Sequence, residues 1–172
     1  MKKTLLILLF MSIGFASSQA QSINLPNECK KILNKNFRGW KLAKIQKEIV
    51  EYHRKNNFPY SPNFIKGDWN GDGKIDYAVL IEQGKLENSQ SEVIGERRFT
   101  VAFVRTQKSF KYFQFDGGDY IELMKKGSKD YNYETDKNFR YKTDAIFDGI
   151  WEKAGVSYVW ERGKFIEIIT SD

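Results

Sequence analysis

From Arg97 to Phe115 the chain reads RRFTVAFVR, then TQ, then KSFKYFQF. Valine, threonine, tyrosine and phenylalanine recur on both sides of Thr106-Gln107, and such residues fit a pleated, half-buried surface. The stretch therefore predicts two strands joined as a β-hairpin. Working outward, Lys74–Gln83 (KIDYAVLIEQ) holds the apolar run Ala78–Ile81, short enough for one strand. Asp116-Gly117-Gly118-Asp119 predicts a turn, and Tyr120–Met124 a further short strand. Ala145–Trp151, Gly155–Trp160 and Lys164–Thr170 predict a closing meander, with Glu161-Arg162-Gly163 as its last turn. Residues 84–95 are polar and predict a loop. Residues 125–143, polar but studded with tyrosines, predict an extended loop over the domain.

Upstream the period changes. Ile32, Leu33 and Phe37 fall at helical spacing behind Pro26-Asn27, and Gly39 offers a stop. Trp40, Leu42 and Ile45 predict a short strand. Ile49, Val50 and Tyr52, flanked by charges, predict a second helix ending before Asn56-Asn57-Phe58-Pro59. Helices first and an antiparallel sheet after give an α+β class, with the N-terminal helices packed on the sheet.

The first twenty residues, MKKTLLILLFMSIGFASSQA, follow another logic. Lys2 and Lys3 precede an apolar run from Leu5 to Phe15, and Ser18 and Ala20 supply small residues for cleavage. The run is shorter than the ~20 residues that cross a bilayer, so a signal peptide over 1–20 is expected rather than a transmembrane anchor. Cys29 lies too far behind that run, after Asn27 and Glu28, to take a lipid. The expectation is a protein exported to the periplasm or beyond, with residues 21–172 forming one domain. Losing Lys2 and Lys3 takes Lys plus Arg from 28 to 26 against 22 Asp plus Glu, so the formal charge falls from +6 to +4. The remaining charges are interleaved, as on a solvated surface. A lone cysteine excludes an internal disulfide, which leaves a metal as one means of bracing loops.

One segment carries distinctive chemistry. Residues 67–81 read GDWNGDGKIDYAVLI. Counting Asp68 as position one, Asn70 is third, Asp72 fifth, Lys74 seventh and Asp76 ninth. Calcium is a hard cation that takes six to eight oxygens, and a tight loop supplies them from alternate side chains and a main-chain carbonyl at position seven. Asp68, Asn70, Asp72 and Asp76 fit that alternation, and Lys74 would lend its carbonyl. Gly73 sits where the backbone must turn sharply. Position twelve is Val79, so the bidentate carboxylate of an EF-hand is missing. An Asn/Asp/Gly turn without metal is the alternative.

The DxNxDGxxxD spacing followed by Tyr-Ala-Val-Leu resembles the calcium loop of FG-GAP and VCBS-type repeats. It also looks like the motif of small exported bacterial proteins that carry a single such loop. The resemblance implies bound Ca2+, with Asp68, Asn70, Asp72, Asp76 and the Lys74 carbonyl as ligands. It covers about fifteen residues. No second acidic loop and no internal period occur, so a β-propeller is not expected. An extracellular site of this kind binds with dissociation constants on the order of 10⁻⁴ to 10⁻³ M, suited to bracing a fold.

Catalytic groups are sparse. His53 is the sole histidine and is expected as a surface group at the edge of the second helix, and no HExxH, Walker loop or nucleophile elbow occurs. Cys29 is expected as a half-buried thiol. Carboxylates alone could serve a glycan hydrolase, and Asp116, Asp119, Glu122, Asp144 and Asp148 lie near strand ends. Tyr158 and Trp160 share a strand face that is either core or a recognition surface. Export and modest charge argue against nucleic acid. The sequence thus points to an exported, calcium-braced binding module for a protein or glycan ligand, with an extracellular carboxylate hydrolase as the alternative. In a third arrangement, a partner's carboxylate would complete the shell that Val79 leaves open.

Overall fold

The computed structural model describes residues 23–84 and 97–171. The proposed leader and nearly all of the predicted loop at 84–95 lie outside them.

The Arg97–Phe115 hairpin forms and continues into the main sheet. Strands β1 (Trp40–Leu42), β2 (Phe64–Gly67), β3 (Asp76–Gln83), β4 (Arg97–Arg105) and β5 (Phe110–Asp116) make one antiparallel sheet. β1 and β2 lie end to end along the same edge of β3, which pairs Leu42 with Ile81 and Phe64 with Val79. β6 (Tyr120–Met124), β9 (Ala145–Ile150), β10 (Ala154–Glu161) and β11 (Lys164–Ser171) make the second sheet, in the order β11-β10-β9-β6. β7 (Lys129–Asn132) and β8 (Lys137–Arg140) form a separate hairpin.

The unbroken apolar run of β3 follows from burial on both faces. Ala78 and Leu80 face a core shared with Ile121, Ile146 and Tyr158 of the second sheet. Val79 and Ile81 face the opposite core, closed by Leu25, Cys29, Leu33 and Phe37. Tyr158 is buried, and Trp160 packs edge-on to Phe113 between the sheets, so this aromatic pair is core.

The expected α+β class is corrected here. Strands take 49% of the described residues and helices 14%, so the fold is mainly antiparallel β. The two helices, α1 (Asn27–Asn36) and α2 (Lys47–Lys55), have 10 and 9 residues. Their periodicity is real, but each buries few side chains: Cys29 and Leu33 from α1, Ile49 and His53 from α2. Sheet-on-sheet packing dominates the fold instead. The chain is also not a propeller.

Three local expectations also change. Residues 125–143 contain the β7–β8 hairpin, whose turn is held by Asn132 Oδ1 accepting from the N–H groups of Glu134 and Thr135. His53 is buried, and so is Cys29, whose thiol is pushed up to about 12 by that burial and by the nearby Glu28 charge. Among the described residues, no helix is long and apolar enough to cross a membrane.

Candidate functional site

The acidic loop joins β2 to β3, and its second residue anchors it. Trp69 is fully buried among Ile65, Ala78 and Leu80, and its indole N–H donates to the Tyr77 carbonyl at 3.3 Å. Gly67 makes room for the ring: a Cβ there would lie 2.3 Å from Trp69 Cζ3. With Trp69 turned inward, Asp68, Asn70 and Asp72 fall on the outer side of the turn.

Main-chain donors wrap the first carboxylate. Asp68 Oδ1 accepts from the N–H of Asp72 at 3.0 Å, and Oδ2 from that of Gly73 at 2.9 Å. Asn70 Oδ1 also accepts from Asp72 N–H, at 3.0 Å. Gly71 and Gly73 adopt φ of +74° and +80°, a region that penalises a side chain. Asp72 Oδ1 accepts from Lys74 N–H at 3.0 Å, and that bond holds its carboxyl below the usual range. The Lys74 ammonium turns back to within 3.4 Å of Asp72 Oδ2 rather than pointing away.

Asp76 is placed differently from the other acids. It is fully buried, and its two oxygens accept from main-chain N–H groups, Oδ2 from Trp69 at 2.9 Å and Oδ1 from Arg105 at 2.6 Å. Burial pushes its pKa up to about 6, with the Asp72 and Asp68 charges adding to the rise. Each carboxylate oxygen has a second lone pair, so these bonds do not use up its acceptor capacity. Among the described residues, however, no group of three or more His, Cys, Asp or Glu is arranged to hold a metal. The donor set fits a hard cation in part: two exposed-side carboxylates, one amide oxygen and one carbonyl, with water needed for the rest.

No protein-family model, curated protein or solved structure matches the chain.

The carboxylates considered for hydrolysis are each engaged separately. Asp119 Oδ1 lies 3.2 Å from Arg98 Nη1, and Oδ2 accepts from Trp151 N–H at 3.1 Å. Asp144 accepts from Lys125 Nζ and the N–H groups of Lys126 and Asp68. Asp148 is buried beside Thr100 Oγ1 and accepts from Gly118 N–H at 2.7 Å. Burial pushes Asp148 up to about 6. Glu122 meets His53 Nε2 at 3.2 Å without a well-formed hydrogen bond, inside a ring of Phe58, Tyr60 and Tyr120. Asp116 is exposed on its strand. These residues do not converge as an acid–nucleophile pair on any of the three described cavities.

Two features lay beyond sequence reading. The anchoring role of Trp69 has a faint signal, an aromatic residue inside an otherwise polar loop. The Asp76–Arg105 bond has none, because its partners are 29 residues apart.

Proposed function

We propose that the protein is an exported binding module in which the Asp68–Asp76 loop takes one calcium ion as a brace. The observation that carries this reading is the winding of the loop. The N–H groups of Asp72 and Gly73 converge on the Asp68 carboxylate, curling Asp68, Asn70 and Asp72 around one short turn. Asp68, Asn70, Asp72 and the Lys74 carbonyl would hold the ion, with Asp76 reaching it through its remaining lone pairs. The ion would offset the repulsion between the Asp68, Asp72 and Asp76 charges. In the FG-GAP and VCBS-like arrangement such a loop enters a strand directly, as Asp76 here opens β3.

A second reading is favoured by Asp76 itself. Its bonds to Trp69 and Arg105 already tie the loop to the β4 end, so the turn could be braced by a carboxylate alone. Thermal unfolding in EGTA and in millimolar calcium, with Asp72→Ala alongside, separates the two. A calcium-dependent rise in Tm for wild type alone supports the metal site, because a ligand that binds only the folded state stabilises it by mass action. Equal Tm values in both conditions leave the metal-free brace.

A further inference from the structure

The second sheet presents a groove on the face turned away from the inter-sheet core. Val159 on β10 stands opposite Ile166 on β11, and Ile168 lies two residues further along the same face. Trp160 and Phe165 point the other way, into the core. The β7–β8 hairpin leans over this outer face: Tyr133 N–H donates to the Ile169 carbonyl at 3.0 Å, and Tyr141 Oη lies 2.7 Å from Ser157 Oγ. Tyr141 thus covers the Ser157 end. The Val159–Ile166 end forms a cavity of about 380 Å³ with Phe139 at its side.

Its rim is basic. Lys137, Arg140 and Lys142 line the groove and are exposed, and none of them has an ion pair among the described residues. Arg140 is oriented by donating to the Gly127 carbonyl at 2.8 Å. Among the described residues, Glu161 is the one acid on the lining. β11 is also the terminal strand of its sheet. Because the Ile169 carbonyl points outward to Tyr133, strand alternation turns the main-chain groups of Phe165 and Glu167 to the same open edge.

An aliphatic floor, a terminal strand edge and three cations without an ion pair among the described residues together select one kind of occupant. We propose that this groove docks an extended segment of a partner protein in which aliphatic residues and Asp or Glu take turns at every second position, so that both lie on one face of the segment. The segment would add alongside β11, with aliphatic side chains over Ile166 and Ile168 and its carboxylates against Lys137, Arg140 and Lys142. Main-chain pairing supplies affinity in such a mode, and alternate side chains supply selectivity. This rests on the binding-module reading and gives it a ligand class, but it does not involve the acidic loop.

The test is calorimetric titration of the purified protein in EGTA, so that loss of the calcium site cannot mimic failure of the groove. Three short capped peptides serve as probes, repeats of Leu-Ser-Glu-Ser, of Leu-Ser-Lys-Ser and of Ser-Ser-Glu-Ser, which put Leu and the charge on one strand face. The Leu/Glu peptide is expected to saturate one site, with the other two at least about tenfold weaker, the effect of ~1.4 kcal/mol. Lys137→Glu with Lys142→Glu changes only exposed positions, and should reverse the preference toward the Leu/Lys peptide. No saturable binding, equal binding of the Ser/Glu peptide, or an unchanged preference in the double variant would each overturn the proposal.

Discussion

The carboxylate of Asp144 accepts a hydrogen bond from the main-chain N–H of Asp68 at 3.2 Å, across a sequence separation of 76 residues. The same carboxylate takes the N–H of Lys126 at 3.0 Å and the ammonium of Lys125 at 3.2 Å. One side chain at the entrance to β9 thereby fixes the start of the acidic loop and the end of β6. Thr143 adds contact from the same segment, since a Cβ on Gly71 would lie 3.0 Å from its Cγ2. The loop is held by both sheets.

Asp144→Ala should therefore loosen the loop without touching the core. Two main-chain donors lose their acceptor, a loss of about 1–3 kcal/mol when water replaces it poorly. Urea unfolding would register this as a lower midpoint at unchanged m-value. The Lys125 contact adds little to this loss, because its lysine is 66% exposed and screened by solvent.

Asp76→Ala should cost more than Asp144→Ala. It orphans the buried N–H of Trp69 and the part-buried N–H of Arg105, a penalty on the order of 2 kcal/mol or more. Asp76→Asn keeps one acceptor but turns an amide N–H toward the other donor. Its midpoint should fall between those of wild type and Asp76→Ala in the same titration.

Acid should stabilise the fold through Asp148. Burial raises its folded pKa from 3.8 to about 6, so the folded state holds a proton that the unfolded chain releases. The stabilising contribution is complete below the unfolded value and is lost as pH rises through about 6. Asp148→Asn preserves acceptance from Gly118 and can donate to Thr100, whose hydroxyl accepts as readily as it donates. The variant should be more stable than wild type near pH 7, by about 1–3 kcal/mol. The gap should close toward pH 4. Unfolding midpoints across that window that ran parallel for the two proteins would contradict this account of Asp148.

Gly67→Ala probes the anchor of the loop. The added methyl would overlap the Trp69 ring, which has no free space in the inter-sheet core. Overpacking of this kind typically costs about 1–3 kcal/mol. Near-ultraviolet circular dichroism should also change, because Trp69 must leave its buried position; an unaltered spectrum and Tm would mean the ring is not locked there.

Much of the strand pattern was legible in the residues. Arg97–Arg105 and Tyr120–Met124 form strands over the ranges expected from β-branched and aromatic content, and the closing meander over nearly the same ranges. The spacing of Asp68, Asn70 and Asp72 likewise marked a tight polar turn. These are properties of neighbours along the chain, decided by local sterics and alternation. The β7–β8 hairpin was less legible because its strands are four residues each and largely exposed, so they lack an apolar period.

Tertiary structure decided the rest. Helical spacing in α1 and α2 could not reveal how little of the fold those helices would carry, because class depends on which surfaces bury one another. Nor could the motif assign Asp76. Its spacing matches a metal ligand, but its burial and its bond to Arg105 arise only when β3 lies beside β4. His53 and Cys29 followed the same rule: a polar residue on a helix edge is outside or inside according to what packs over it. By itself the sequence determined the strand pattern and the acidic turn, whose causes lie within a few residues. The fold class and the roles of Trp69, Asp76 and Asp144 depend on groups tens of residues apart, brought together only by packing of the two sheets.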